Sequence, residues 1–283
     1  MNAFSGAASD LPASPGAETQ RPEPTRGAPR PPLINEITIE HGPRDLLGRF
    51  FLKADTAARA RGVTLSFGTF ADLVETNARN TSSWHPLIPL FDPKNGGFDE
   101  ENAFCMLGRN SQGEIVATQA ARLYRWPDTS FYEEARSLRL FYADPARMKM
   151  PKERCEITAE STRFVSGNVC FSGGGWYRRD YRKRNLSAIL PRISRALAFT
   201  RWRTDYTVSV IAEKVIGGGM ADRSGYTNVD WDLRMYDAPP GTVRCAFVWM
   251  ETNQLLADLG DFLVGFDSQV DVGVDQRRAE QAG

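Results

Sequence analysis

The 283-residue chain carries 35 Lys and Arg against 35 Asp and Glu, so its formal net charge is zero and nothing global draws it to nucleic acid or to an anionic membrane. Its four cysteines, Cys105, Cys155, Cys170 and Cys245, are too widely spaced for a Cys-x-x-Cys redox or zinc motif, and no window approaches the roughly 18 apolar residues needed to span a bilayer. These features leave the expectation of a soluble, cytoplasmic chain with reduced thiols and no metal knuckle, in which any basic site is local.

Residues 1–32 are dense in Pro, Ala, Gly, Ser and Thr and read as a disordered arm, since such a composition buries too little apolar surface to offset the entropy of ordering it. Residues 33–61 read as a lead-in, with LINEITIE as a short strand and then a helix in which Leu46, Leu47, Phe50, Phe51 and Ala54 recur at helical spacing. One main domain is expected over 62–265, followed by a flexible tail at 266–283. VTLSFGTF alternates as a half-buried strand does, and ADLVETNARNTSSW follows as a helix that stops before His85-Pro86. AFCMLGRNSQGEIVATQAARLYRW is a hairpin, its runs separated by Asn110-Ser111-Gln112-Gly113 with glycine where the turn needs positive φ.

FYEEARSLRLF suggests a helix, and CEITAESTRFV reads as a strand that sets Glu160, Thr162 and Phe164 on one face and Ser161 and Arg163 on the other. VSGNVCFSGGGWYRRDYRKRN is a long glycine-rich connection, with a strand at 168–172 that ends before Gly173. LSAILPRISRALAFTRW places Leu186, Ile189, Leu190, Ile193 and Leu197 on one face of an amphipathic helix, with Pro191 early in it as a kink. DYTVSVIAEK is a strand, VIGGGMADRSGY a short helix, YTNVDWDLRMY and VRCAFVWMET two more strands, and LLADLGDFLVGF a last helix. The order describes an α/β (α+β) domain, a mixed twisted sheet flanked by helices.

The chemistry concentrates at GGGWYRRDYRKRNLS. It contains neither the P-loop pattern nor a Gly-x-Gly-x-x-Gly dinucleotide fingerprint, which removes those two nucleotide readings. What remains is a strand, a basic loop and a helix start, where unpaired backbone N–H groups and the helix dipole favour an anion. Arg182, Lys183 and Arg184 precede that start, and the first N–H groups fall at Asn185, Leu186 and Ser187. His41 and His85 are isolated and read as structural, with neither a zinc site nor a Ser-His-Asp triad between them, so no metal is expected.

From Glu160 to Phe199, with Gly225-Tyr226 downstream, the chain resembles the GNAT superfamily of acyltransferases. Their donor motif runs Gln or Arg, two residues, Gly, one residue, then Gly or Ala; here Arg182 takes the first place, while Asn185 and Ser187 stand at the two small positions. Asp180-Tyr181 is similar to the family's lead-in, RNSQGEIVATQ to its second and third strands, and MADRSGY to the segment after its fifth strand. The resemblance implies a GNAT-like fold over about residues 62–250. It implies acetyl-coenzyme A or another acyl-coenzyme A as donor, its pyrophosphate held by Arg182, Lys183, Arg184, Asn185, Leu186 and Ser187. Attack by the amine of a small-molecule or peptide acceptor would be direct, with Glu160 as base. Ala221 stands where many members carry a tyrosine general acid, so that role is empty.

AESTRFV, Glu160 to Phe164, also resembles a strand of the acyl-homoserine-lactone synthases, which implies as an alternative an acyl-carrier-protein donor with S-adenosylmethionine. A third reading is a non-catalytic GNAT-like module that uses the basic loop for binding. A homodimer is compatible with each, whereas nucleic acid is disfavoured by the zero net charge.

Overall fold

The computed structural model describes residues 31–239 and 241–265. The arm expected at 1–32 lies outside these residues except for its last two, and the tail expected at 266–283 lies wholly outside. Among the described residues no helix is long and apolar enough to cross a membrane, and no group of His, Cys, Asp and Glu is placed to hold a metal ion.

A 3-10 turn at Leu33–Asn35 leads into α1, Arg44–Ala60, which buries Leu47, Phe50, Phe51 and Ala54 as their helical spacing requires. The strand expected in LINEITIE does not form. Ile37 and Ile39 do pack on the core, but this segment finds no strand partner, and His41 instead exchanges hydrogen bonds with Thr200, N to O at 3.1 Å and Oγ1 to O at 3.0 Å. β1 (Thr64–Gly68) and α2 (Phe70–Arg79) follow, the helix opened by a reciprocal cap in which Thr69 and Asp72 satisfy each other's backbone N–H. β2 (Ala103–Arg109) and β3 (Ile115–Trp126) are the expected hairpin, with Gly113 at φ 79° in its turn. The short helices α3 (Phe131–Arg136) and α4 (Pro145–Met148) precede β4 (Arg154–Ile157).

Here the structure corrects the sequence. CEITAESTRFV is a strand only as far as Ile157, and Glu160–Arg163 forms a 3-10 turn. Local hydrogen bonding outcompetes the extended form: Ser161 donates through both N and Oγ to the Asp230 carboxylate, at 2.9 and 2.7 Å, and Thr162 Oγ1 donates to the Ala159 carbonyl at 2.6 Å. The strand that carried the lactone-synthase resemblance is therefore absent.

β5 runs from Gly167 to Tyr177, through the glycines expected to end it, and a 3-10 turn at Arg179–Tyr181 leads to α5, Leu186–Trp202. β6 (Tyr206–Ala212), α6 (Glu213–Ile216), α7 (Met220–Ser224), β7 (Asn228–Ala238) and β8 (Gly241–Glu251) complete the sheet, and a last helix, α8, spans 252–265. The eight strands lie in the order β1-β2-β3-β5-β6-β8-β7-β4, with every neighbouring pair antiparallel except β5 and β6. That single parallel pair is what the crossover helix α5 creates.

Two cores cover the two faces. One holds Leu47 and Phe50 of α1, Ile189 and Ile193 of α5, and Leu255 and Leu259 of α8; the other holds Leu73 of α2 and Phe131 of α3 with Phe91 and Phe171. α5 is not amphipathic as expected. It is buried on nearly every side, Arg192 and Arg195 included, because α8 packs over its polar face and meets both arginines with Asp258.

Candidate active site

β5 and β6 are hydrogen-bonded only from Val169 to Phe171 against Tyr206 to Val208. Beyond that register they part, so residues 172–177 and 209–212 have inner edges that pair with no strand, while their outer edges stay on β3 and β8. A cavity of about 1020 Å³ opens between them, lined by both splayed strand ends.

A β-bulge shapes one edge. Thr118 pairs with Trp176 and Ala120 with Gly173, so Gly174 and Gly175 together oppose the single residue Gln119. Gly174 takes φ 63°, and its carbonyl is fixed by Thr118 Oγ1 at 2.7 Å. The three glycines are thus the bulged wall of the cavity rather than a loop. Beneath them Gln119 Nε2 donates to Ser172 Oγ at 3.2 Å, and Ser172 reaches Ser194 of α5 at 3.5 Å.

The basic loop closes the mouth. Arg182 donates to the carbonyls of Tyr177 (3.1 Å) and Ser83 (2.9 Å), and Arg184 to those of Asp180 (3.0 Å) and Arg61 (3.2 Å) while lying 4.1 Å from the Tyr181 ring. These guanidiniums brace the loop. Arg182, Lys183, Asn185, Leu186 and Ser187 line the cavity, whereas Arg184 does not. Lys183 and Asn185 both sit in the left-handed region, at φ 63° and 60°. That geometry turns the chain into α5, whose first N–H groups have no carbonyl one turn earlier to bond. Pro191 lines the cavity too; lacking an N–H, it leaves the Ser187 carbonyl without its usual helical donor.

The floor comes from α7 and from Tyr226 just beyond its end. Tyr226 is buried, its ring 4.7 Å from the Arg195 guanidinium, and its hydroxyl makes no well-formed hydrogen bond although Arg195 and Ser172 are its polar neighbours. Burial pushes that hydroxyl up to about 12, against the opposing pull of Arg195, so it keeps its proton at neutral pH. Burial also raises the Tyr177 hydroxyl well above its ordinary value. Ala221 is buried inside α7 and does not reach the cavity. Cys170 is buried, its thiol pushed up to about 12, which rules out a ready thiolate.

Glu160 lies elsewhere. Its turn is tied to Asp230 of β7, two strands beyond β6, and its exposed carboxylate pairs with Arg163 at 3.4 Å. It does not line the cavity, and the structure does not bring it together with Arg182–Ser187. His85 does line it, on the segment after α2. The sequence reads this residue as structural because an isolated histidine beside Pro86 carries no motif; its neighbour Trp84 stacks on Trp176 at the same cavity.

No family model matches the chain, and no curated protein matches it in sequence. Among solved structures it is similar to an uncharacterized protein from Bacillus halodurans, at 10% identity over 72% of this chain and 91% of that one, with a TM-score of 0.42. It is similar to the spermidine/spermine N-acetyltransferase SpeG from Vibrio cholerae, at 8% identity over 69% of this chain and 97% of that one, TM-score 0.41. A third likeness is to the aminoglycoside acetyltransferase AAC(6')-Ib in complex with coenzyme A, at 12% identity over 68% and 96%, TM-score 0.37.

Proposed function

We propose that this chain is an acyl-coenzyme A dependent N-acyltransferase of the GNAT kind, moving an acyl group, acetyl in the simplest case, to the amine of a small-molecule or peptide acceptor. The observation that carries the reading is the splayed parallel pair β5/β6 with the N-terminus of α5 at its mouth. A pantetheine arm is a flexible chain with two amides, and the inner edges of 172–177 and 209–212 offer it strand-like backbone partners. The pyrophosphate would lie on the N–H groups of Asn185, Leu186 and Ser187, with Lys183 as counter-charge and Arg182 holding the loop. The Gly173–Gly175 bulge lines the cavity, and its N–H groups would steady the thioester oxyanion.

In this reading the acceptor amine attacks the thioester carbonyl directly, since no activated nucleophile lines the cavity. The amine nitrogen bonds to the carbonyl carbon, the carbon–sulfur bond breaks, and the coenzyme A thiolate leaves and takes up a proton. His85, which lines the cavity where Glu160 does not, would receive the proton of the amine, directly or through a water.

Isothermal titration of the full chain with coenzyme A tests the donor, and an acyl-transfer assay tests the base. Saturable binding is expected, weakened roughly tenfold, about 1.4 kcal/mol, by Lys183→Ala. His85→Gln should lower kcat by about a hundredfold while Glu160→Gln leaves it unchanged. Absence of coenzyme A binding would sink the reading, and the reverse order of the two variants would return the base to Glu160.

A further inference from the structure

The cavity has two unlike walls. On the side of α5 and α7 it is lined by Lys183, Ser187 and Arg223 together with Tyr177, Leu186 and Ile211 of the first core. On the opposite side it is lined by Trp84, Leu87, Ile88, Val210 and Ala212, which pack against the second core, and by Trp176, which stacks on Trp84. The first wall suits the polar donor. The second is apolar and aromatic, and because the cavity passes through the splay it is where an acceptor would approach the thioester.

That second wall is built, not incidental. The Trp84 and Trp176 rings stack at 5.5 Å and 12° between planes, with Trp176 buried and Trp84 half-exposed. Trp176 Nε1 donates to Ser83 Oγ at 3.2 Å, and the guanidiniums of Arg179 and Arg182 hold the Ser82 and Ser83 carbonyls at 3.1 and 2.9 Å. Asn77 clamps the same segment, donating to the His85 carbonyl at 2.9 Å and accepting from the Leu87 N–H at 3.1 Å. A wall held at so many points loses little entropy when a ligand stacks on it. Among the described residues, the side chains lining the cavity that carry full charge are Arg182, Lys183, Lys214 and Arg223, all cationic. No carboxylate is among these lining residues, so an acceptor with several ammonium groups would find no anion here to pair with, and an unpaired charge discriminates against the wrong partner.

We propose, on the reading of the cavity as an acyl-coenzyme A site, that the Trp84–Trp176 wall selects an acceptor amine with a flat, apolar body, of the arylalkylamine kind, over a polycation. The aromatic body stacks on Trp84 and packs on Leu87 and Ile88, the single amine points through the splay, and its proton leaves toward His85 as the amide forms and coenzyme A thiol is released.

Phenylethylamine, spermidine and kanamycin serve as probes with the full chain. Binding is followed by tryptophan fluorescence without donor, and transfer by release of coenzyme A thiol from acetyl-coenzyme A. The expected result is a saturable fluorescence change with phenylethylamine and a kcat/KM at least roughly tenfold above that of either polycation. Trp84→Leu should raise the KM for phenylethylamine roughly tenfold with coenzyme A affinity unchanged, and Trp84→Phe should restore it. Polycations bound or acetylated as well as phenylethylamine, or Trp84→Leu without effect on KM, overturn the proposal. Amine binding in a chain that fails to bind coenzyme A would support this wall while sinking the donor reading, so the two failures are distinguishable.

Discussion

Asn185 precedes α5 at φ 60° and ψ 18°, a conformation that costs most side chains roughly 1–2 kcal/mol and that Asn and Gly adopt most readily. The donor motif that this loop resembles has glycine here, and Asn can stand in its place because the chain turns through the left-handed region just before the N–H groups that border the cavity. Asn185→Gly should therefore leave stability and coenzyme A affinity nearly unchanged. Asn185→Val should cost about 1–2 kcal/mol in urea unfolding and weaken the donor, because a β-branched side chain is strained there and the first turn would shift. Equal behaviour of the two variants would show that the turn is not what aims the N–H groups. Lys183, also left-handed at φ 63°, had no such signal, since lysine gives no local hint of that conformation.

At the scale of elements, the bulge in β5 decides the site. Gly174 needs positive φ, and a Cβ there would sit 3.2 Å from the Ala120 Cβ. Gly174→Ala should destabilise the fold by about 1–2 kcal/mol and, on the acyltransferase reading, lower kcat and raise the KM for the donor together, since the same strand edge would hold the arm and meet the oxyanion. An unchanged kcat alongside lost stability would make the bulge purely structural. The strand, basic loop and helix around this bulge were legible in the sequence, as were the hairpin and the mixed sheet, because each rests on local periodicity or turn chemistry. The splay itself has no local signature, since where two strands cease to pair is a tertiary property. Glu160 misled for a related reason. ESTRF alternates as a strand does, but Asp230, some seventy residues on, captures Ser161 and bends it into a turn. His85 carries no motif, and only the fold sets it on the cavity.

Across the whole molecule, the site depends on a buried ionic cluster that joins the last helix to the crossover helix. Arg192 grips Asp258 of α8 through Nε and Nη2 at 2.9 and 2.7 Å, and its Nη1 reaches the carbonyls of Ala188 and Arg223 at 2.8 Å each. Arg195, fully buried, donates to the Ser224 carbonyl and approaches Asp258 at 3.5 Å; burial holds its guanidinium below the ordinary value. Gly225 follows at φ 83°, where a Cβ would collide with Asp258 and Arg192, so α7 ends directly against the cluster. The two guanidiniums thus fix the end of α7, and α7 carries Met220, Arg223 and Ser224 into the cavity. Asp258→Ala strands two buried cations and should cost about 3–5 kcal/mol in urea unfolding, the cost of leaving a buried charge unpaired. It should also weaken coenzyme A binding, although Asp258 does not line the cavity. Arg192→Leu combined with Asp258→Ala should cost less than the sum of the two changes, because one of the stranded charges is removed with its partner, while Arg195 retains part of the penalty. Strict additivity, or full coenzyme A affinity in a folded Asp258→Ala chain, would mean that α8 covers the core without positioning the site.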